Sequence, residues 1–91
     1  MRVAKRYTGV VVEKGGRFWG VLYDDGHSRS EGFGPIESAT IHNPEFCTKP
    51  TDVTYKDSPY VRELSTAVLR QVFKTVIYEV EGVPGESDVR P

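Results

Sequence analysis

The chain has 91 residues, a net charge of −1 at neutral pH, 37 % apolar residues and ten aromatic rings: five Tyr, four Phe and one Trp. That length makes one domain with one modest core, and the apolar content is sufficient to fold it. It leaves little room for the deep enclosed pocket of a large enzyme, and the charge gives no global pull towards nucleic acid or a membrane.

The first strand is expected from Val3 to Lys14, centred on the β-branched run Val10-Val11-Val12. Gly15-Gly16 then reads as a two-residue hairpin loop, because both central residues of the favoured turn need positive φ. Arg17–Tyr23 is the second strand. Pairing Lys14 with Arg17 places Val12 opposite Trp19, Val10 opposite Val21 and Thr8 opposite Tyr23, a core face. Asp25-Gly26 reads as a second tight loop, leading to a third strand over Ser28–Gly34. This register sets Phe18 against Phe33, Gly20 against Glu31 and Leu22 against Arg29, with Gly32 opposite Trp19. A slip of one residue at either turn would reverse part of the assignment.

Residues 35–57 are less regular. Asn43-Pro44-Glu45 signals a single helical turn capped by Asn, and Thr51–Tyr55 a short strand. A longer helix is expected next: Asp57 or Ser58 caps it, and Val61, Leu64, Ala67 and Val68 recur at helical spacing until about Gln71. Lys74–Glu81 alternates as a fourth strand, and residues 82–91 read as a flexible tail.

The expected fold is α+β: a three-stranded antiparallel meander plus a C-terminal strand, with one main helix on one face, as a single domain over residues 1–81. A small open barrel is the alternative if the second face also turns inwards.

Chemical signatures are sparse. Asp24-Asp25-Gly26-His27-Ser28 clusters catalytic residue types, yet adjacent residues diverge and no orienting group or oxyanion donor is evident, so it reads as a polar hairpin tip. His27, His42 and Cys47 lack the close pair that zinc sites use. No metal, cofactor or enzymatic activity is expected. The single cysteine and the lack of an apolar stretch after the N-terminal charges point to a reducing, cytoplasmic location, and no segment is apolar enough for a membrane helix.

Binding is expected on the second face. Tyr7, Val11, Phe18, Leu22 and Phe33 have no obvious cover there, and Arg29 joins them. Tyr7, Phe18, Leu22, Arg29 and Phe33 are therefore the candidate binding residues of a non-enzymatic interaction or regulatory module whose partner is a protein or a second copy. Residues 35–57 folding back over this face is the competing expectation. Gly9 and Gly20, inside strands on this face, mark either strong coiling, or a bend or close approach of another backbone or a ligand. A single-stranded nucleic-acid platform is the alternative function, since aromatics flanked by Arg17, Arg29, Lys5 and Arg6 suit base stacking. The acids on the same strands and the net charge disfavour it. Phe18–Gly20 and Gly32–Gly34 resemble the aromatic strands of cold-shock domains. The Lys-Gly-Phe-Gly-Phe pattern of that family is absent, so no residue role is carried over.

Overall fold

The structure is a computed structural model that describes residues 1–81. The expected tail, 82–91, lies outside the described residues. Four antiparallel strands form one open sheet in the order β3-β2-β1-β4: β1 Arg2–Lys14, β2 Arg17–Asp24, β3 Arg29–Gly34 and β4 Val68–Glu79. Gly15 and Gly16 sit at φ 58° and 80°, and Lys14 pairs with Arg17 as the two-residue loop requires.

The β1–β2 ladder stops almost at once. Glu13↔Phe18 and Lys14↔Arg17 are its two pairs, so the expected Val12–Trp19, Val10–Val21 and Thr8–Tyr23 pairings do not form. The strands splay, and residues 36–42 enter the gap. Val10 exchanges backbone hydrogen bonds with His42 (2.9 and 2.8 Å), and Thr40 N–H donates to the Trp19 carbonyl. Here the two strand glycines find their reason. A Cβ on Gly20 would overlap the Ser38 carbonyl, and one on Gly9 would meet His42 O and Ile41 Cγ2 at 2.5 and 2.7 Å. Close approach of this chain's own backbone, rather than coiling, explains both. The segment buries Val11, so this part of the second face is covered.

The second hairpin departs in an instructive way. Asp25 has no positive φ; only Gly26 does, at 88°. The Asp25 carboxylate instead accepts from the backbone N–H groups of His27 (2.9 Å) and Ser28 (2.8 Å) and from the Tyr23 hydroxyl (2.7 Å). The loop therefore spans residues 25–28, and Asp24 pairs with Arg29. A bulge at Leu22 then removes one residue from the register. Phe18 consequently pairs with Gly34, Trp19 with Phe33 and Gly20 with Gly32, one residue away from the expected partners. An odd slip exchanges the faces of a strand, and Phe33 moves to the Trp19 face.

That face carries the core. Val12, Trp19 and Leu64 are buried, with Phe33, Val53, Ala67 and Leu69 packed around them. Trp19 meets Phe33 and Tyr60 edge-on, at 5.3 and 5.2 Å between centroids. The cover is irregular chain more than helix. Asn43 caps a turn through Glu45 N–H, as expected. Pro50–Val53 is a 3₁₀ turn instead of a strand, held by the Asp52 carboxylate accepting from Thr48 and Lys49 N–H.

The main helix is reduced to α1, Val61–Leu64. Ser65 and Thr66 close it by donating their hydroxyls back to the Arg62 and Glu63 carbonyls. Val68–Gln71, expected in the helix, belongs to β4, where it pairs with Val10–Glu13. A helix this short gains little on its own, whereas β4 gains an uninterrupted ladder from Arg2↔Glu79 to Glu13↔Val68.

The Asp25 loop yields a pH prediction. Its hydrogen bonds, led by that from Tyr23, hold the Asp25 carboxyl well below the usual carboxylate range. A depressed folded-state pKa contributes stability above the unfolded value, near pH 4, that is lost as pH falls towards the folded value. Carbon-detected NMR between about pH 2 and pH 5 is expected to show Asp25 keeping its charge well below the unfolded-state value. Titration of Asp25 near that unfolded value would mean the loop is held in another way.

Candidate interaction surface: the β1–β4 ribbon

From Val12 towards its N-terminus β1 has no β2 partner, and beyond the Val10–His42 contact β1 and β4 continue as a two-stranded ribbon. Arg2–Thr8 are exposed throughout. The hydrogen-bond alternation fixes where its backbone groups point. Met1 and Val80 exchange bonds across the ribbon, Val80 N–H to Met1 O at 2.8 Å and the terminal amine to Val80 O at 3.3 Å. In an antiparallel ladder such pairs alternate. Even-numbered residues of β4 therefore bond to β1, and the N–H and C=O groups of Leu69, Gln71, Phe73, Thr75, Ile77 and Glu79 point outwards. The same count aims the even residues of β1 away from β4, which is how Val10 reaches His42.

Long bare edges are normally blunted by proline, a bulge, shortness or charged side chains, of which β4 carries Arg70, Lys74 and Glu79. The other edge, β3, has six residues. β4 has twelve, no proline and no irregularity against β1. It also exposes large apolar side chains on both faces. Phe73 and Ile77, on the Trp19 face, are 69 % and 58 % exposed; Tyr78, on the other, is 46 % exposed.

Cations outnumber acids on the ribbon. Arg2 pairs with Glu79 (3.1 Å) and Arg70 with Glu13 (2.9 Å). Arg70 and the Gly16 N–H hold the Glu13 carboxyl below its ordinary value. Arg6 lies 4.6 Å over the Phe73 ring. A groove of about 800 Å³ runs beside the open β1 edge, lined in part by Arg6, Tyr7, His42, Pro44, Lys74 and Tyr78. Burial pushes the His42 imidazole down, and its Nε2 has no hydrogen-bond partner among the described residues.

The expected binding residues are dispersed. Tyr7 lines the groove and is 41 % exposed. Leu22 sits in the bulge, with its methyls against Gly32 and Gly34, and is 47 % exposed. Phe18 is half-buried beside the Gly15-Gly16 turn. Arg29 stands at the far hairpin, 3.8 Å from Glu31. Phe33 packs on Trp19, on the opposite face from that expected. The sequence reading missed Phe73 and Ile77. A signal was present: β1 is five residues longer than β2, 13 against 8, so its N-terminal half needs another partner.

Asp25 is engaged by its own loop, and the Ser28 hydroxyl turns towards it at 3.4 Å. Cys47 is buried, and burial pushes its thiol up. Among the described residues, no group of three or more His, Cys, Asp or Glu is placed to hold a metal ion. Among the described residues, no helix is long and apolar enough to cross a membrane.

Comparison with known proteins leaves the chain unassigned: no family model, no curated protein and no solved structure matches it.

Proposed function

We propose that the chain is a non-enzymatic protein-interaction module that binds by strand addition to the β1–β4 ribbon. The carrying observation is the outer edge of β4, unbroken over twelve residues and flanked by exposed Phe73, Ile77 and Tyr78. An added strand gains main-chain hydrogen bonds from the edge and specificity from the alternating side chains. The ribbon replaces the dispersed residues of the second face as the binding surface.

Single-stranded nucleic acid is the second reading, favoured by Arg6 over Phe73 with Lys5, Tyr7 and Lys74 along the same ribbon. The ion-paired Glu13 and Glu79 and the net charge of −1 weigh against it.

A photo-cross-linking residue in place of Ile77, in the cells that make the protein, tests the module. A discrete protein adduct is expected, absent when the same residue replaces Arg62 on α1. No adduct from position 77, or an adduct to nucleic acid alone, would overturn the reading.

A further inference from the structure

We infer that the occupant of the β4 edge is the β4 strand of a second copy, antiparallel about a two-fold axis through Thr75; this rests on the interaction-module reading. A two-fold axis normal to the sheet reverses strand direction and keeps each side chain on its own face, so only residues of like parity can pair. The outward-pointing residues of β4 are the odd ones, as the Met1–Val80 pair establishes, so they bond to the odd residues of the partner.

Side-chain pairing decides among the registers left by parity. Centring on Val76 sets Phe73 against Glu79 and Ile77 against Thr75, and leaves the two apolar residues apart. Centring on Lys74 sets Lys74 against Lys74, like charges directly opposite. Centring on Phe73 sets Glu79 against Ala67, beside the end of α1. Centring on Thr75 matches the strand to itself. Phe73 meets Ile77, Thr75 meets Thr75, and Gln71 meets Glu79 on one face. On the other, Val72 meets Tyr78 and Lys74 meets Val76. The two most exposed apolar residues of β4, Phe73 and Ile77, thereby cover one another twice.

The size of the contact sets its strength. Pairing Leu69 through Glu81 gives an edge about 40 Å long and about 10 Å tall, or roughly 800 Å² over both copies. That is below the ~1,200 Å² of a standard stable interface, so the dimer is a weak one that forms only as concentration rises.

Light scattering on the purified full chain, from about 1 µM to about 1 mM, the range of weak association, tests the inference. The mass is expected to rise from one chain to two. Thr75→Pro removes an outward N–H and leaves the β1 ladder intact, and Thr75→Lys sets two charges face to face; both are expected to stay monomeric with unchanged circular dichroism. Thr75→Cys, in a Cys47→Ala background, is expected to form an inter-chain disulfide on mild oxidation, since paired strands hold their Cα atoms at bridging distance. A wild-type chain that is monomeric throughout, a dimer indifferent to Thr75→Lys, or no disulfide would overturn it. A monomer in solution that still gives the Ile77 adduct to a different protein sinks self-pairing alone; no adduct at all sinks the interaction reading too.

Discussion

Gly20→Ala is expected to abolish the folded state. The added methyl would occupy the space of the Ser38 carbonyl and press on the Ala39 Cα. Both are backbone atoms, so no rotamer change relieves the overlap. Residues 36–42 would have to lift out of the gap between β1 and β2. Lifting removes the Trp19–Thr40 and Val10–His42 hydrogen bonds and uncovers Val11. Overpacking alone costs about 1–3 kcal/mol. Each buried backbone group left unpaired adds roughly 1–3 kcal/mol. Together these approach the ~5–15 kcal/mol that holds a small domain folded. Thermal and urea melts of the variant are expected to show no cooperative transition. A melt within a few degrees of wild type would mean that the segment does not rest on Gly20.

Leu64→Ala is expected to cost about 3–5 kcal/mol, the upper range for a buried leucine. Leu64 is fully buried and is the one residue of α1 in the central cluster with Val12 and Trp19. The irregular chain from residue 43 to 67 has little regular structure to hold it down, so this side chain is its main anchor. Loss of the anchor also bares the indole of Trp19, so the variant's tryptophan emission is expected to shift to the red. Equilibrium urea unfolding measures the loss directly. A cost below about 1 kcal/mol would show that the cover is held elsewhere.

Local turn chemistry was the most legible part of the fold. Gly15-Gly16 set one hairpin, its register and the start of β2. Asp25-Gly26 carried the same signal and led elsewhere, because the Asp25 carboxylate satisfies the loop's own N–H groups. The bulge at Leu22 then turned a two-residue displacement into an odd one, and Phe33 changed face. Nothing in the spacing of β2 and β3 announces a bulge. Val61, Leu64, Ala67 and Val68 do have helical spacing, but long-range pairing with Val10–Val12 competes for Val68–Gln71 and wins. The candidate site was hidden for the same reason. Its residues lie 67 to 77 positions apart in sequence, Arg6 beside Phe73 and Arg2 beside Glu79, and local patterns carry no record of which strands become neighbours.

Binding by strand addition depends on the outward half of β4, and amide hydrogen exchange resolved by residue reads it most directly. At low concentration, Val72, Lys74, Val76 and Tyr78 are expected to be protected by β1, while Gln71, Phe73, Thr75 and Ile77 exchange freely. At high concentration the second set is expected to become protected and the first to stay so. Exchange without this alternation, or odd-numbered amides that remain unprotected at every concentration and with every partner offered, would contradict the ribbon edge as the surface through which this protein acts.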